Sequence, residues 1–261
     1  GFENQIVRLK RMVQLSIVII TWNQLSYLRD CLCSLQPVMQ REDVEVIVVD
    51  NGSEDGTCQY LTVNYPQIYL HINDCNKGVA YARNRGLELA QGKKVLFLDN
   101  DTVVNENAIS GMEIYLDEHS KVGLCACRLV DSNSQVQDSF KPFPGLWLKI
   151  KNVLGITKTN TPDLQTVTSP IEPVYVIGAC QMIRREVIER IGLLDENIFY
   201  GPEDADYCMR IAAEGWKVVY LPQYTIVHHW RRATNKKLFS RLAWKHFCAL
   251  CYFYAKYKRI N

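Results

Sequence analysis

The sequence predicts an α/β protein with a Rossmann-like, mostly parallel central sheet and flanking helices. Three observations favour this fold class. Apolar runs rich in β-branched residues recur along the first hundred residues, segments with helical periodicity separate them, and short polar loops follow their carboxyl ends. Because neighbouring parallel strands need a crossover connection, which is usually a helix, this alternation indicates right-handed βαβ units.

The first half of the chain supplies four predicted strands. Residues 15–20 and 44–49 are continuous apolar runs, as expected of strands that are buried on both faces. Residues 68–72 and 94–98 are predicted to form the third and fourth strands. Since parallel strands end at one edge of a sheet, the polar loops that follow them should gather where open α/β sheets bind ligands.

Three helices are predicted between these strands. The first covers residues 26–35, places its leucines on one face, and ends before Pro37. The second begins at position 55 or 57 and runs through position 61. The third covers residues 79–90 and stops at Gly92, which we interpret as its C-terminal glycine.

The second half of the sequence is less regular. Residues 122–130 are predicted to form a strand, whereas 131–172 are rich in Ser, Thr, Asn, Pro and Lys and are predicted to be a long loop of functional importance. Ordered structure is expected again over 174–184. A short helix is then predicted over 185–191, closed by Gly192.

The charge is unevenly distributed. The net charge is +2, but no acidic residue follows Glu214, and that final segment carries ten Lys and Arg residues. The preceding residues carry 20 basic and 28 acidic side chains. A basic tail on an acidic body indicates an anionic partner, which from charge alone is a membrane, a nucleic acid or a phosphorylated lipid.

The ten cysteines fall mostly inside apolar segments, where a free thiol behaves as a small hydrophobic side chain. Cys248 and Cys251 have zinc-like spacing, but no second pair of this kind completes a site. Buried, reduced cysteines predict a cytoplasmic protein. The sequence contains no run of the roughly 20 apolar residues that a membrane-spanning helix needs, and no signal-peptide pattern is expected at its start.

Two carboxylates directly follow the fourth predicted strand. Asp99 and Asp101 are separated by one residue, so they point the same way if the chain stays extended. Their mutual repulsion at the sheet edge would be relieved by a cation between them. Mg²⁺ or Mn²⁺ bound by one or two carboxylates together with substrate phosphates fits this arrangement. The alternative is a polar strand end in which Asp101 caps the next helix.

Three further carboxylates, Glu203, Asp204 and Asp206, open a helix that is predicted to run to about position 213. Acidic residues suit a helix N-terminus, so a purely structural role is one interpretation. The preceding aromatic Tyr200 favours the other, a carboxylate whose pKa is raised by burial toward that of a general base. His228 and His229 follow a predicted strand at 218–221, and at most one of the two would face a given metal.

An ordered series of motifs resembles the inverting family 2 glycosyltransferases of the GT-A fold. The resemblance is greatest to the bacterial rhamnosyltransferases of surface polysaccharide synthesis, and it spans about residues 16–230. The matching segments are 16–23 (SIVIITWN), 48–53 (VVDNGS), 76–86 (NKGVAYARNRG), 97–101 (FLDND), 178–180 (GAC), 195–206 (DENIFYGPEDAD) and 227–229 (VHH).

The resemblance implies roles for individual residues. Asp204 would be the catalytic base, and Glu203, Asp206 and Tyr200 would contact the acceptor or support the site. Asp99, Asp101 and His228 would hold Mg²⁺ or Mn²⁺ against the diphosphate, with Asp101 the more direct ligand. The residues implied in nucleotide binding are Thr21, Asn23, Asp50, Asn51, Gly78, Arg83 and Asn100, with Asp50 accepting from the imide N–H of uracil or thymine.

The resemblance also implies a division of the chain. Residues 1–14 would be an N-terminal extension and 15–130 the nucleotide-sugar-binding half of the GT-A domain. Residues 131–230 would form the acceptor-side, catalytic half. The expected reaction moves a sugar from a UDP or dTDP donor, such as dTDP-rhamnose, to a saccharide or lipid-linked saccharide, and nucleic acid is not expected as a partner.

Two other functions are compatible with a nucleotide and metal site. A sugar-phosphate nucleotidyltransferase should carry a glycine-rich, arginine-containing loop after its first strand, and here that loop is Thr21 to Gln24. The other alternative is a non-catalytic module whose basic tail binds nucleic acid or membrane. It would not explain why four aspartates all fall at loop or helix starts: Asp50, Asp99, Asp101 and Asp204. A dinucleotide-binding fingerprint and a P-loop are both absent from the sequence.

The last segment, 231–261, is predicted to be a basic amphipathic helix, centred on residues 236–259. Its apolar positions recur at helical spacing, and Trp244, Tyr252 and Tyr257 add amphipathic rings. Such a helix is expected to lie on anionic lipid headgroups, peripheral to the inner face of the plasma membrane. The alternative is a helix that packs its apolar face on the GT-A domain.

Overall fold

The computed structural model describes residues 12–141, 164–229 and 241–257, and its described strands form one large sheet and one small one. The strands are β1 (Leu15–Thr21), β2 (Val44–Asp50), β3 (Tyr69–Ile72), β4 (Lys94–Asp99), β5 (Thr102–Val103), β6 (Val122–Val130), β7 (Phe140–Lys141), β8 (Tyr175–Val176), β9 (Cys180–Arg184) and β10 (Lys217–His228). The helices are α1 (Leu25–Ser34), α2 (Gln36–Met39), α3 (Thr57–Asn64), α4 (Val79–Leu89), α5 (Glu106–Glu118), α6 (Arg185–Ile191), α7 (Glu203–Ala213) and α8 (Arg241–Tyr257).

The large sheet has the strand order β3-β2-β1-β4-β9-β6-β10-β5. Its first four strands are parallel, as the sequence predicts. Thr21 pairs with Asp50, and Ile20 pairs with Asp99. This register brings the ends of β1, β2 and β4 to one level, so the loops that follow them meet at one edge.

The second half of the chain makes the sheet mixed. Strand β9 lies antiparallel between β4 and β6, while β10 runs parallel to β6 and antiparallel to β5. The sheet separates two apolar clusters, one on each face, and helices cover both. This is the mostly parallel α/β architecture expected from the sequence.

Strand β10 is longer than the predicted 218–221. It continues to His228 across a register shift between Leu221 and Thr225. Pro222 has no N–H to donate to a ladder, which fits the break in strand pairing at this point. The irregular register accommodates the proline, and the strand then pairs again and carries His228 beside Thr102.

Two smaller expectations need correction. Helix α1 does end before Pro37, but α2 follows at once, because a proline is tolerated in the first turn of a helix. Gly92 does not cap α4, whose C-cap is Ala90 in an extended conformation. A Cβ on Gly92 would lie 2.5 Å from the backbone nitrogen of Ser16, so close approach to β1 is what requires a glycine there.

The predicted loop 131–172 is partly ordered. Within its described part, Val130 forms an isolated bridge with Val136, and β7 pairs with β8 in a two-stranded sheet. Residues 142–163 of that prediction lie outside the described residues, as do 1–11 of the N-terminal extension.

The C-terminal helix α8 is confirmed over Arg241–Tyr257, and the remaining positions of the predicted 236–259 lie outside the described residues. It packs one face on the domain through the buried side chains of Ala249, Phe253 and Tyr257. Among the described helices, none is both long and apolar enough to cross a bilayer.

Candidate active site

One cavity of about 490 Å³ opens at the carboxyl edge of the parallel strands. The ends of β1, β4 and β10 form its floor, and the N-terminal ends of α4 and α7 form its walls, together with α8. The predicted site residues that line it are Thr21, Asn51, Gly78, Arg83, Asp99, Asn100, Asp101, Tyr200, Glu203, Asp204 and His228. Residues 100 to 200 positions apart in the sequence therefore line one open cavity.

The two carboxylates after β4 and the histidine at the end of β10 form a cluster that suits a metal ion. One ligand atom each from Asp99, Asp101 and His228 lies within 4.8 Å of the others. The Asp101 Oδ1 and His228 Nε2 atoms are 3.4 Å apart. Two carboxylate oxygens and an imidazole nitrogen are donors that Mn²⁺ accepts readily, with room left for phosphate oxygens.

Two hydrogen bonds connect His228 to Gln137. The Nδ1 of His228 lies 2.9 Å from Oε1 of Gln137, and Nε2 of Gln137 donates to the His228 backbone carbonyl at 2.7 Å. Because the glutamine oxygen is an acceptor, His228 carries a proton on Nδ1 and presents Nε2 to Asp101. Burial lowers the pKa of His228, but its hydrogen bond to Asp101 and the charges of Asp101 and Asp99 raise it overall.

Arg83 joins the carboxylate cluster to the start of α7. Its guanidinium donates to Asp99 Oδ1 at 3.0 Å and to the Gly178 carbonyl at 2.8 Å, and lies 3.4 Å from Glu203 Oε1. The side chain is only 3% exposed. Arg83 therefore lines the cavity with a guanidinium already engaged by protein oxygens, and its predicted contact to the nucleotide stays a prediction.

Charge crowding perturbs the acidic groups around Arg83. The pKa of Asp99 is raised, mainly by burial and also by the negative charge of Asp101. The positive charge of Arg83 acts in the opposite direction and lowers it in part. Burial also raises the pKa of Glu203 to about 7, helped by the charge of Asp204 and opposed by Arg83. The second oxygen of Glu203 accepts the backbone N–H of Gly201. Asp204 stands beside it at the N-terminal end of α7 and lines the cavity.

The Asp206 side chain contacts α7 and α8 and is not among the residues that line the cavity. It is fully buried and accepts from Arg210 at 3.0 Å and from the Tyr257 hydroxyl at 2.8 Å, and it pairs with Lys256 at 2.6 Å. Its carboxylate therefore ties α8 to α7. This contact set supports a structural role for Asp206 rather than contact with an acceptor.

Asn51, which the sequence predicts to bind nucleotide, organises the turns around the cavity. Its Nδ2 donates to Asn76 Oδ1 and to the Gly78 carbonyl, and its Oδ1 accepts from Asn73 and from the Lys77 backbone. Asn100 similarly donates to the Thr21 hydroxyl at 2.8 Å.

Asp50 and Asn23 lie beside the cavity and shape the loop that follows β2. Asp50 is fully buried, and its Oδ1 accepts the backbone N–H groups of Gly52 and Ser53. Asn23 accepts from the backbone of Glu54. Their predicted contacts to a nucleotide stay predictions, as do the other roles assigned from the sequence.

Sequence reasoning missed two residues that the structure places at the site. Gln137 lay inside the segment interpreted as a loop, and only its proximity to His228 reveals its role. His246 lay in the tail helix, where the basic and aromatic pattern drew attention to a membrane instead. It lines the cavity, and its neighbours in the sequence, Lys245 and Phe247, give no local sign of that position.

The fold and the site define a protein of the GT-A class. Residues 16–192 match the family model for glycosyl transferase family 2, which is more than half of the chain. The protein therefore belongs to glycosyl transferase family 2.

Curated relatives include several rhamnosyltransferases. The chain is 29% identical over 250 residues to an N-acetylglucosaminyl-diphospho-decaprenol L-rhamnosyltransferase of Mycobacterium tuberculosis, covering 89% of this chain and 81% of that protein. It is 24% identical over 233 residues to the rhamnosyltransferase WbbL of Escherichia coli, covering 86% of each. The dTDP-rhamnosyl transferase RfbF of Shigella flexneri is 26% identical, covering 81% of this chain and 67% of that protein.

Solved structures show the same fold at low sequence identity. A mannosyltransferase from Pyrobaculum calidifontis, in complex with GDP-Man and Mn²⁺, aligns with a TM-score of 0.64 at 20% identity. The alignment covers 96% of this chain, which spans 65% of that protein's chain. The structure of GalNAc-T7 with UDP, GalNAc and Mn²⁺ aligns with a TM-score of 0.62 at 18% identity, covering 85% of this chain and 45% of the other.

The raised pKa of Glu203 gives a testable pH dependence of stability. A carboxyl that titrates near pH 7 when folded and near 4.5 when unfolded binds more protons in the folded state between these values. Ionising it therefore lowers the free energy of unfolding as the pH rises from about 4.5 to about 7. Glu203→Gln cannot ionise, so its free energy of unfolding should not fall in this way. The variant should therefore become more stable relative to wild type as the pH rises from about 4.5 to about 7.

The measurement is urea unfolding at closely spaced pH values in EDTA. Glu118→Gln, an exposed carboxyl on α5, is the matched control and should track the wild type. A stability difference between wild type and Glu203→Gln that does not change with pH would contradict the assignment.

Proposed function

We propose that this protein is an inverting, metal-dependent glycosyltransferase that moves a sugar from a UDP or dTDP donor to a saccharide or lipid-linked saccharide. One observation carries the proposal: the Asp99, Asp101 and His228 cluster and the Asp204 carboxylate line the same cavity. A displacement at a sugar–diphosphate bond needs charge neutralisation at the leaving group and a base for the attacking hydroxyl.

The leaving-group end of the reaction lies at the sheet edge. Asp99, Asp101 and His228 would hold Mg²⁺ or Mn²⁺, which supplies Lewis-acid stabilisation of the diphosphate oxygens. Gln137 fixes the proton on His228 Nδ1 and leaves Nε2 for the ion. Arg83 balances the charge of Asp99, so the cluster does not carry its full negative charge before the donor arrives.

The acceptor end lies at the start of α7. Asp204 accepts the proton of the acceptor hydroxyl as that oxygen attacks the anomeric carbon of the sugar. The bond to the diphosphate breaks as the new glycosidic bond forms, and displacement from the opposite face inverts the anomeric configuration. Glu203 is the less suitable base, because it is buried and paired with Arg83, whereas Asp204 is partly exposed.

The donor is proposed to carry uracil or thymine, with dTDP-rhamnose the first candidate. The names of the curated relatives support rhamnose, since three of them are rhamnosyltransferases and one of these three is named as a dTDP-rhamnosyl transferase. The M. tuberculosis relative acts on an acceptor that is a diphospho-decaprenol, which supports a lipid-linked saccharide here.

The proposal is tested with a panel of UDP-, dTDP- and GDP-sugars, with Mn²⁺ or EDTA, and with release of nucleoside diphosphate as the readout. We expect turnover with a dTDP- or UDP-sugar in Mn²⁺ and none in EDTA. Transfer confined to GDP-sugars, or equal turnover in EDTA, would contradict the donor or the metal assignment, respectively.

Asp101→Asn is expected to impair metal binding without unfolding the protein, because the side chain lies at a cavity rim rather than in the core. Replacing a charged ligand by an amide should weaken Mn²⁺ binding and should lower turnover by a large factor. Isothermal titration with Mn²⁺ and dTDP measures the first effect and a coupled assay the second. Asp30→Asn, which changes an exposed aspartate on α1, is the control. Wild-type Mn²⁺ affinity in Asp101→Asn would contradict the assignment of Asp101 as a metal ligand.

Asp204→Asn separates donor binding from chemistry. Removing a general base typically costs about 10²–10⁴ in rate. The variant should therefore lose transfer by this order while binding dTDP and Mn²⁺ as the wild type does. If nucleotide affinity falls together with transfer, Asp204 contacts the donor and the base must be sought elsewhere.

A lipid-linked acceptor requires contact with a membrane surface, and α8 offers one. Trp244 and Phe247 are 66% and 55% exposed, and their ring centroids are 5.8 Å apart on the solvent side of the helix. The segment after Glu214 is free of acidic residues in the sequence. Exposed aromatic rings within basic sequence suit an anionic bilayer surface.

The double variant Trp244→Ser/Phe247→Ser is expected to lower co-sedimentation with liposomes that contain anionic lipid. The control removes two apolar side chains that are equally exposed elsewhere, Val63 at 77% and Ile114 at 54%, by Val63→Ser/Ile114→Ser. Both double variants should still show a rise in melting temperature when dTDP is added. Equal sedimentation of the two double variants, or no sedimentation of wild type at low salt, would reject this membrane contact.

A further inference from the structure

Helix α8 contributes a polar side chain to the cavity, in addition to the aromatic pair that it exposes. His246 lines the cavity on the face of α8 that turns toward the domain. Its Nδ1 lies 2.8 Å from the backbone carbonyl oxygen of Tyr200 and 3.2 Å from that of Gly201. Both partners are acceptors, so this nitrogen must carry a proton and donate to them.

These two carbonyls belong to the segment that leads into α7 and Asp204. On its other side, the same segment is held by α4, because the Val79 N–H donates to the Phe199 carbonyl at 2.8 Å. The Gly201 N–H donates to Glu203, whose other oxygen meets Arg83. The segment 199–203 is thus fixed from α4 on one side and from α8 on the other.

Ring contacts reinforce the α8 side. The rings of His246 and Tyr200 meet edge to face with centroids 5.9 Å apart, and the Lys245 ammonium lies 3.6 Å from the centroid of the Phe199 ring. Tyr257 and Lys256 then anchor the far end of α8 to Asp206. The helix is therefore attached to α7 at one end and to the loop before α7 at the other.

We infer that His246 is a positioning residue for Asp204, acting through the backbone of Tyr200 and Gly201. The inference rests on the proposed transferase function, in which Asp204 is the base. Only the hydrogen on Nδ1 is needed, and both the neutral and the protonated imidazole supply it. The contact therefore depends on this one N–H and not on a charge.

Two substitutions distinguish positioning from simple packing. His246→Phe keeps a ring of similar size but has no donor. His246→Asn places an amide N–H close to the position of Nδ1 and restores the donor. Because a displacement of about 1 Å at a reacting group costs on the order of 10²-fold in rate, His246→Phe should lower kcat by up to that factor with little change in the KM for the donor.

The asparagine variant should recover most of kcat, and Cys248→Ser, an exposed position of the same helix, should behave as wild type. Nucleotide affinity should be unchanged in all three variants. Wild-type kcat in His246→Phe, or an asparagine variant no better than the phenylalanine one, would overturn the inference.

A second measurement is independent of turnover. Amide hydrogen exchange of peptides that cover residues 199–206 should be faster in His246→Phe than in wild type and close to wild type in His246→Asn. If no donor sugar is turned over by the wild-type protein, the proposed function fails, while the exchange still decides whether His246 holds this segment. Unchanged exchange in His246→Phe would reject the positioning role.

Discussion

The site depends on the guanidinium of Arg83. The buried Arg83 side chain lies between Asp99 on the sheet edge and Glu203 at the start of α7. It also donates a hydrogen bond to the backbone carbonyl of Gly178. The desolvation cost of burying a charge is offset only where such partners surround it. Without Arg83, two carboxylates that now share a cation would face each other across the cavity, and the wall that carries Asp204 would lose its link to the floor.

Strand register explains why the sequence predicted the floor of the site so well. The runs before Thr21, Asp50 and Asp99 are apolar and continuous, and parallel strands of this kind end together. The loops at their ends could therefore be placed side by side without knowledge of any long-range contact. The same logic identified Asp99 and Asp101 as a pair, since they follow one strand immediately.

The walls of the site were predicted less completely, because they come from long-range contacts that no local pattern encodes. His228 was singled out, but its strand was expected to stop at 221, whereas it continues to His228 across an irregular register. Gln137 and His246 are each engaged with partners far along the chain, at separations of 91 and 46 residues. A polar residue in a loop or a histidine in a helix carries no local sign of such a partner. The expected contacts of Asp50 and Asn23 with a ligand rest on resemblance alone.

The late position of β10 in the chain has a consequence for how the protein matures during synthesis. A nascent chain emerges with its N-terminal part first, so β1 to β4 and both aspartates are exposed before β10 exists. His228 can approach Asp101 only once β10 has been synthesised, and α8 follows later in the chain. The chain must therefore emerge at least as far as His246 before all the residues that line the cavity are present. A nascent chain that ends before β10 would expose the two aspartates without the imidazole of His228.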